Sequence, residues 1–586
     1  MSSQIKEKTA PHIAKKDNCA ACLPRNASPA RAPLPCAADH AMVRLMDFDL
    51  ILKDATILDG KGTPGVSGSV AIKERRIAAV GNLGTAQAAS TIDCTGKVIA
   101  PGFIDMHSHS DWVIPNADHG AVLAPLLEQG ITTIVGGNCG CTPAPFLPGN
   151  SQLLPLVGRM LHDHDLDYRW QGMGDFLTAL ERQGLALNLA QLVGHGTLRA
   201  AVKGIDPTPA TAEQIAAMAD LTRAALDEGA IGLSTGLGYA PGVFANTEEL
   251  VGITAPLRER GGVYTSHARS YIALGSLDDP EQVPSNLRAL DETAAVHRAH
   301  GVRVQHSHLI FVGDTTWPTT DRALEHLERL VADGVDIACD AFPYVGGNTT
   351  LVVFMPPWTL PDLHTAVTDP EQRQRAAATL NWVLPHLGMR WEDTQILWVP
   401  RKEVAHYEGM TIAEIARDRG NDPTETYLDL VGELGSQTRI MNWNYSGRDD
   451  EEGSLRKVLQ HPLTCFETDT ILTGNGFDNP ASYGTFPRIL GRYVRELQLF
   501  SLPEAVRRMT SLSAHRMGLH DRGRIAKGLA ADLVVFDPAT VGDNTTRRAP
   551  NRSPSGIDYV VLNGSVVVQH GKFDRAARAG QVLRRG

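Results

Sequence analysis

Short apolar runs alternate with helical stretches through the middle of the chain, and this alternation limits the fold more than any other feature. The helical stretches include residues 211–229 and 320–334. The apolar runs are "VIAPGFIDMHSH" and residues 131–140, 188–196, 230–237, 262–269, 302–310, 335–344 and 463–469. Continuous apolar strands that alternate with helices form a parallel sheet buried on both faces. Eight such units predict a (β/α)₈ TIM-like barrel.

The two ends of the chain carry a different pattern, in which short β-type runs are broken by Gly and Asp. Such runs include "FDLILKDATILDG" near the start and "IDYVVLNGSVVVQHGKF" near the end. We predict one small β-domain formed by residues 46–100 and 510–586, with the catalytic barrel at 101–509. Residues 345–462, between the seventh and eighth strands, hold helix and strand signals of their own. We interpret them as an insertion that caps the barrel mouth.

The charge balance and the cysteine content exclude several classes of partner and scaffold. The formal net charge is −11 and the estimated pI is 6.0, whereas nucleic-acid and anionic-membrane partners need a basic face. No apolar run approaches the ~20 residues of a membrane span. Eight cysteines in 586 residues are too few for a disulfide scaffold. We therefore expect a cytoplasmic protein without nucleic-acid or membrane partners.

The first 45 residues have the composition of a disordered tail. They lack the apolar segment of a secretory signal. The "CAAC" at 19–22 has the spacing of a metal or redox pair, but no second pair follows it. An unstructured tail is the simpler interpretation of this segment.

Polar side chains with metal-binding chemistry stand where several of the predicted barrel strands end. They are His107 and His109 after the first strand, Cys139 after the second, His267 after the fifth, His308 after the sixth and Asp469 after the eighth. The carboxyl ends of barrel strands converge on one mouth, and side chains two residues apart on a strand point the same way. Imidazoles, a thiolate and a carboxylate form a ligand set that suits zinc. We therefore predict a zinc site at the mouth.

Each of these residues has an ordinary structural explanation when it is taken alone. A cysteine is usually a small buried hydrophobe, and an aspartate after a strand can cap a helix. The prediction depends on their coincidence at five strand ends. His306 shares a strand face with His308 and competes with it, and we prefer His308 because it is nearer the strand end. His195 in "VGHGTLR" is expected to brace a loop.

Longer motifs surround these residues. They include "PGFIDMHSHSD", "GGNCGCTPAP", "GLSTGLGYAPGVFANTEEL", "YTSHAR", "VQHSHL", "YGTFPRILGRYVRE" and "GLHDRGRIAKGLAADLVVFDP". With them the sequence resembles the N-acyl-D-amino-acid deacylases (D-aminoacylases) of the amidohydrolase superfamily over about residues 46–586. The resemblance implies a distorted barrel and a small β-sandwich domain built from both chain ends.

The same resemblance implies roles for the candidate ligands. His107 and His109, with Asp469, would line a second and weaker metal position, and Asp469 would be the catalytic acid and base. The tight Zn²⁺ would be held by Cys139, His267 and His308.

Four positions near the predicted mouth depart from that family pattern and lose formal charge. Deacylases often carry HxRxE, SHxK and HPR, where this chain has "HARSY", "SHLI" and "NPA". The altered positions are Tyr271, Ile310, Asn479 and Ala481. At Ala481 the expected arginine is absent, and with it a guanidinium that could bind a substrate carboxylate through two hydrogen bonds. We hypothesise that the metal chemistry is kept while carboxylate recognition is changed, and the remaining candidates for holding an anion are Arg269, Tyr344 and Arg488.

These observations favour a zinc-dependent hydrolase that cleaves the C–N amide bond of a small N-acylated compound. The altered pocket favours a less charged amide, with aromatic and xenobiotic amides included. The alternatives are a cyclic amide or carbamate hydrolase, or a non-hydrolytic member of the superfamily, and the pocket distinguishes them. A non-catalytic metal-binding protein is disfavoured, because structure alone does not require Asp469. No sequence feature indicates an oligomeric state.

Overall fold

The computed structural model describes residues 47–162, 165–273, 283–360 and 362–585. The predicted tail and its "CAAC" pair lie outside these ranges. In the described chain, no helix combines the length and the apolar character needed to cross a bilayer.

The described residues form strands at both ends of the chain and throughout its middle. These are β1 (Phe48–Ile57), β2 (Val66–Lys73), β3 (Arg76–Gly81), β4 (Ala88–Asp93), β5 (Val98–Pro101), β6 (Phe103–Asp105), β7 (Ile131–Gly136), β8 (Asn188–Gly194), β9 (Gly232–Gly236), β10 (Val263–His267), β11 (Val304–His306), β12 (Ile337–Ala341), β13 (Gly347–Thr350), β14 (Thr394–Trp398), β15 (Arg439–Asn442), β16 (Thr464–Phe466), β17 (Leu533–Phe536), β18 (Ile557–Leu562), β19 (Ser565–Gln569) and β20 (Lys572–Phe573).

Helices lie between most of the strands. The α-helices of the described residues are α1 (His119–Val122), α2 (Ala124–Glu128), α3 (Leu154–Leu161), α4 (Met173–Gln183), α5 (His195–Lys203), α6 (Ala212–Asp227), α7 (Thr247–Arg260), α8 (Ser285–His300), α9 (Thr320–Ala332), α10 (Leu363–Thr368), α11 (Pro370–His386), α12 (Ile412–Arg419), α13 (Pro423–Leu434), α14 (Gly453–Gln460), α15 (Ala481–Arg488), α16 (Leu502–Met509) and α17 (Ser511–Arg516).

Eight parallel strands form a nearly closed barrel in the order β6-β7-β8-β9-β10-β11-β12-β16. All residues of these strands except His267 are buried, which explains their unbroken apolar character. The first and last strands meet through a bridge between Ser108 and Thr470 and a hydrogen bond from the Asp469 N–H to the His107 carbonyl (3.0 Å). The predicted (β/α)₈ class is confirmed.

The terminal strands form a second, nine-stranded sheet in which both chain ends take part. Strand β5 pairs in parallel with β1 and antiparallel with β17, so the two ends of the chain meet side by side. The run "VIAPGFIDMHSH" is therefore two strands, β5 in this sheet and β6 in the barrel. Gly102 separates them, and a Cβ there would lie 2.3 Å from Thr132 Oγ1. Only glycine lets the chain pass this closely between the sheets.

Residues after β12 leave the barrel and form a unit with its own core. Strands β13, β15 and β14 form a three-stranded antiparallel sheet, and helices α10–α13 pack beside it. The buried residues of this unit include Leu351, Tyr427 and Ile440. Its chain re-enters the barrel at β16, between α14 and the residues of the mouth.

Candidate metal centre and active site

The six predicted ligands meet at one end of the barrel. Two groups of them have ligand atoms that all lie within 4.8 Å of one another. One group is His107, His109 and Cys139, and the other is Cys139, His267 and His308. We call these five residues and Asp469 the ligand cluster. Every residue of the cluster follows or ends a barrel strand, which is why side chains so far apart in sequence converge.

Cys139 is the common member of the two groups. Its Sγ lies 3.1 Å from His107 Nε2, 3.5 Å from His267 Nδ1 and 3.7 Å from His308 Nε2. Ligand atoms of a tetrahedral zinc lie about 3.3–3.6 Å apart, given bonds of about 2.0–2.3 Å. His267 Nδ1 and His308 Nε2 are closer, at 2.9 Å. The thiol-to-imidazole separations are therefore close to those around a shared metal ion, and the two imidazole nitrogens would move slightly apart to bind it.

Asp469 lies on the other side of His107. Its Oδ1 is 3.6 Å from His107 Nε2 and 3.6 Å from His109 Nε2. Burial would raise its pKa, but the interactions with the imidazoles of His109, His107 and His308 outweigh burial and lower it. Asp469 is therefore an ionised carboxylate at neutral pH, as a metal ligand or a proton acceptor must be.

The protonation states of the other ligands also favour a bound cation. Burial lowers the pKa of His107 and His267 well below the usual value, so both imidazoles are neutral and can donate a lone pair. Burial, reinforced by the charge of Asp469, raises the pKa of the Cys139 thiol. A metal dication is the charge that converts such a buried thiol to a thiolate.

Three members of the ligand cluster have backbone conformations that side chains rarely adopt. Cys139, His308 and Asp469 have φ angles of 55°, 32° and 45°. Non-glycine residues in this region cost about 1–3 kcal/mol each and persist where the surroundings fix them, often at functional sites. Each of the three stands just after a strand, where the chain turns out of the barrel. The strain therefore coincides with the ligands.

Two buried aspartates that sequence reasoning missed hold the ligands in place. Asp105 accepts hydrogen bonds from the N–H groups of His107 (3.2 Å) and Thr468 (3.0 Å). Asp340 accepts from the His308 N–H (2.6 Å). Burial raises the pKa of both carboxyls to about 7. The sequence signal that could have revealed these two aspartates is an acidic residue inside an apolar strand, in "FIDMH" and "IACDAF".

Two histidines near the strand ends stand apart from the cluster. His306 Nδ1 lies 3.2 Å from Thr293 Oγ1 on α8, outside the barrel sheet. His195 Nε2 lies 2.8 Å from Glu249 Oε1, and Arg199 Nε donates to the same oxygen (3.0 Å). The side chains of His195, Glu249 and Arg199 are all fully buried. His195, the first residue of α5, is thus joined to Glu249 on α7.

The positions at which we expect an altered charge lie close to the metal ligands. Buried apolar side chains form one cluster there, which we call the apolar wall: Tyr271, Ile310, Phe342, Tyr344 and Ala481. The Tyr271 ring centroid is 5.2 Å from that of His267 and 5.0 Å from that of His308. Three of these four positions, Tyr271, Ile310 and Ala481, therefore belong to one buried apolar cluster. Asn479 is next to it, and its Nδ2 donates to Asn348 Oδ1 (2.6 Å).

The two arginines predicted near the substrate are engaged by carboxylates. Arg269 donates to both oxygens of Glu292 and to the carbonyls of Val243 (2.9 Å) and Ala245 (2.7 Å). Arg488 donates to Pro343 O and to Asp543 Oδ2 (3.2 Å). A substrate anion would compete with these partners.

The Tyr344 hydroxyl is committed to the same aspartate as Arg488. It donates to Asp543 Oδ2 (3.0 Å), and the Arg488 guanidinium lies 4.7 Å from the Tyr344 ring centroid. The ring of Tyr344 is therefore part of the apolar wall, and its hydroxyl is hydrogen-bonded to Asp543.

Comparisons with known proteins agree with the fold and the site. The profile of the amidohydrolase family matches residues 90–568. The chain is 36% identical to the D-aminoacylase of Alcaligenes xylosoxydans xylosoxydans over 539 residues, which are 92% of this chain and 98% of the relative. A D-aminoacylase structure, solved to study its binuclear metal centre, matches with a TM-score of 0.75 and 34% identity over 92% of this chain and 100% of its own.

A second solved relative carries a metal and a reaction mimic. It is the N-acyl-D-glutamate deacylase of Bordetella bronchiseptica, complexed with zinc and a phosphonate that mimics the tetrahedral intermediate. The TM-score is 0.74 at 32% identity, over 92% of this chain and 100% of that one.

The barrel and its ligand cluster define the class of metal-dependent barrel hydrolases. Within that class, the chain belongs to the amidohydrolase family. It is a hydrolase of carbon–nitrogen bonds other than peptide bonds, and the resemblance noted in its sequence motifs is confirmed.

Proposed function

We propose that this enzyme is a zinc-dependent hydrolase of the amide bond in N-acylated small molecules whose non-scissile end is uncharged. The observation that carries the metal part is the ligand cluster, in which thiol, imidazole and carboxylate atoms approach within 2.9–3.7 Å. The observation that carries the substrate part is the apolar wall, which occupies the positions where deacylases often have charged residues.

The metal part comprises one tight zinc site and a second, weaker one. Cys139, His267 and His308 form the tight site, because Cys139 and His308 are buried, His267 is half-buried and the donors of all three converge. His107 and His109, with Asp469, line the second position, which shares Cys139 with the first. The likeness to a D-aminoacylase with a binuclear centre supports two positions.

Zinc in such a site supplies a Lewis acid for the amide carbonyl and lowers the pKa of a bound water to about 7. The protein residues supply the proton transfers. Asp469 is ionised, borders both metal positions and faces the mouth, so it accepts a proton from the attacking water. It then returns that proton to the leaving nitrogen, which departs as a neutral amine.

The substrate part follows from the charges around the mouth. Ile310 and Ala481 offer no hydrogen bond to a carboxylate, and the Arg269 and Arg488 guanidinium groups are held by Glu292 and Asp543. Burying a carboxylate against such a wall without a partner costs several kcal/mol. A neutral or aromatic group is accommodated there without that cost.

A matched pair of substrates tests the proposal. N-acetyl-D-phenylalanine and N-acetyl-D-phenylalaninamide have the same scissile bond, and they differ in the charge at the far end. We expect kcat/KM for the carboxamide to equal or exceed that for the acid in the zinc-loaded enzyme. A tenfold or greater preference for the acid would overturn the uncharged-substrate assignment, and the absence of turnover of any amide would overturn the hydrolase assignment for these substrates.

A further inference from the structure

The tight zinc site has a feature that its ligands do not explain by themselves. Cys139 and His308 stand in left-handed backbone conformations, with φ angles of 55° and 32°, in the segments after β7 and β11, and His267 ends β10. Backbone in this region persists only where neighbouring groups fix it. Two tyrosine hydroxyl groups make the contacts that do so.

Tyr271 joins the loops that carry the two histidines. Its hydroxyl oxygen accepts a hydrogen bond from the Ala268 N–H (2.7 Å), next to His267, and its O–H donates to the Ser307 carbonyl (3.1 Å), next to His308. Its ring stands edge-on to His267, with an interplanar angle of 90°. One side chain therefore fixes the distance between both imidazole-bearing segments.

Tyr239 fixes the loop of the third ligand. Its O–H donates to the carbonyl of Cys139 itself (2.6 Å), and its ring also packs edge-on against His267, with centroids 4.9 Å apart. The close approach depends on Gly236, where a Cβ would lie 2.2 Å from that carbonyl oxygen. The Cys139 backbone is thus held between β9 and the Tyr239 hydroxyl.

We infer that Tyr239 and Tyr271 are positioning residues for the metal, which hold Cys139, His267 and His308 at the separations that zinc requires. The Tyr271 hydroxyl acts through the backbone beside the two histidines. The Tyr239 hydroxyl acts on Cys139, because it donates to the Cys139 carbonyl and also contacts the Cys139 side chain. Outer-shell partners of this kind typically change metal affinity by about 10–100-fold when they are removed. A phenylalanine at either position keeps the ring and removes only the hydroxyl hydrogen bonds.

The inference rests on the metal site of the proposed function, and its test measures metal rather than turnover. Zinc affinity of the full chain is determined by competition with a chromophoric chelator for the wild type, Tyr271→Phe and Tyr239→Phe. The matched control is Tyr264→Phe. Tyr264 is fully buried on β10, the strand that ends in His267. Its hydroxyl contacts the side chains of Thr235 (Oγ1, 2.8 Å) and Ser266, whereas Tyr239 and Tyr271 hold backbone groups at the ligands.

We expect Tyr271→Phe and Tyr239→Phe to weaken zinc binding about 10–100-fold, and Tyr264→Phe to leave it within about twofold while lowering thermal stability. Cobalt substitution gives a second readout, because the thiolate-to-cobalt charge-transfer band reports the geometry at Cys139. That band should shift in Tyr239→Phe and Tyr271→Phe and stay unchanged in Tyr264→Phe.

Equal zinc affinity and equal cobalt spectra in all four proteins would overturn the inference, as would an equal loss in Tyr264→Phe, which would indicate general destabilisation. If one tyrosine variant does not fold, the other decides the outcome with the same control. A wild-type protein that retains no zinc would overturn the proposed metal site and the inference with it, whereas a zinc-loaded wild type with unaffected variants would overturn the inference alone.

Discussion

The ligand cluster and the apolar wall lie side by side at one end of the barrel, and their residues differ in polarity and in backbone strain. The ligand cluster is polar, buried and strained, and it is supported by buried carboxylates such as Asp105 and Asp340. The apolar wall consists of Ile310, Ala481 and aromatic rings, and the nearby polar groups of the mouth are tied to internal partners. We propose that the ligand cluster keeps the family pattern and that the apolar wall departs from it.

We propose that the ligand cluster carries out the reaction and that the apolar wall determines which substrate is preferred. A cation and a carboxylate can activate water only at fixed distances, so the ligand cluster tolerates little change. We propose that the wall contacts the part of the substrate that does not react, where a change of polarity alters the preferred compound and leaves the chemistry intact. Substitutions on the two sides should therefore differ in kind as well as in size.

The largest effect is expected at Asp469. Asp469→Ala removes the proposed proton acceptor and donor, and kcat should fall by about 10²–10⁴-fold for every substrate. The tight zinc should remain, because Cys139, His267 and His308 are unchanged. Steady-state kinetics and metal analysis of the same preparation check both statements. Unchanged turnover would contradict the assigned role.

The next effect separates the two metal positions within the ligand cluster. His308→Ala removes a ligand of the tight site and should weaken zinc binding by more than the 10–100-fold typical of a supporting residue. His109→Ala belongs to the second position only, so it should leave about one zinc per chain after dialysis. Zinc content measured with and without a competing chelator distinguishes them. Equal losses in the two variants would contradict the assignment of one tight and one weaker site.

A change in the wall should alter preference rather than rate. Ile310→Lys places an ammonium beside the mouth, and a charge-assisted contact should raise the acid-to-carboxamide ratio of kcat/KM by about tenfold or more. Ile310→Met has a similar length and no charge, and it should leave the ratio within about threefold. The matched phenylalanine substrates measure it. If both variants change the ratio equally, shape and not charge governs the wall.

The sequence was sufficient to predict the barrel and the convergence of the six candidate ligands, because each leaves a local signal. Buried parallel strands are apolar throughout, and strand-end histidines, Cys139 and Asp469 interrupt that pattern where the barrel mouth must be. The split of "VIAPGFIDMHSH" into β5 and β6 was not predictable, because the boundary at Gly102 is set by a contact with Thr132 in another strand.

The hydrogen-bond and ion-pair partners of individual side chains could not be predicted from the sequence for the same reason. Arg269 and Tyr271 were predicted to face the substrate from their positions after β10. The structure shows that the Arg269 guanidinium is bound by Glu292 on α8 and the Tyr271 hydroxyl by the backbone of two loops. Such pairings depend on the packing of distant elements, which periodicity does not encode.

The smallest effect on catalysis is expected at Arg269, although it lies close to the wall in sequence. Arg269→Met removes donors from Glu292, Val243 O and Ala245 O, and should lower the free energy of unfolding by about 1–3 kcal/mol, the typical cost of leaving such groups unpaired. The acid-to-carboxamide ratio of kcat/KM should stay within about twofold.

Glu292→Gln is the complementary variant, since it weakens the ion pair with the Arg269 guanidinium without removing the side chain. If Arg269 recognised a substrate carboxylate, Glu292→Gln would lower KM for the acid and Arg269→Met would raise it. We expect neither shift, because the two backbone carbonyls still hold the guanidinium in Glu292→Gln and keep it turned away from the mouth.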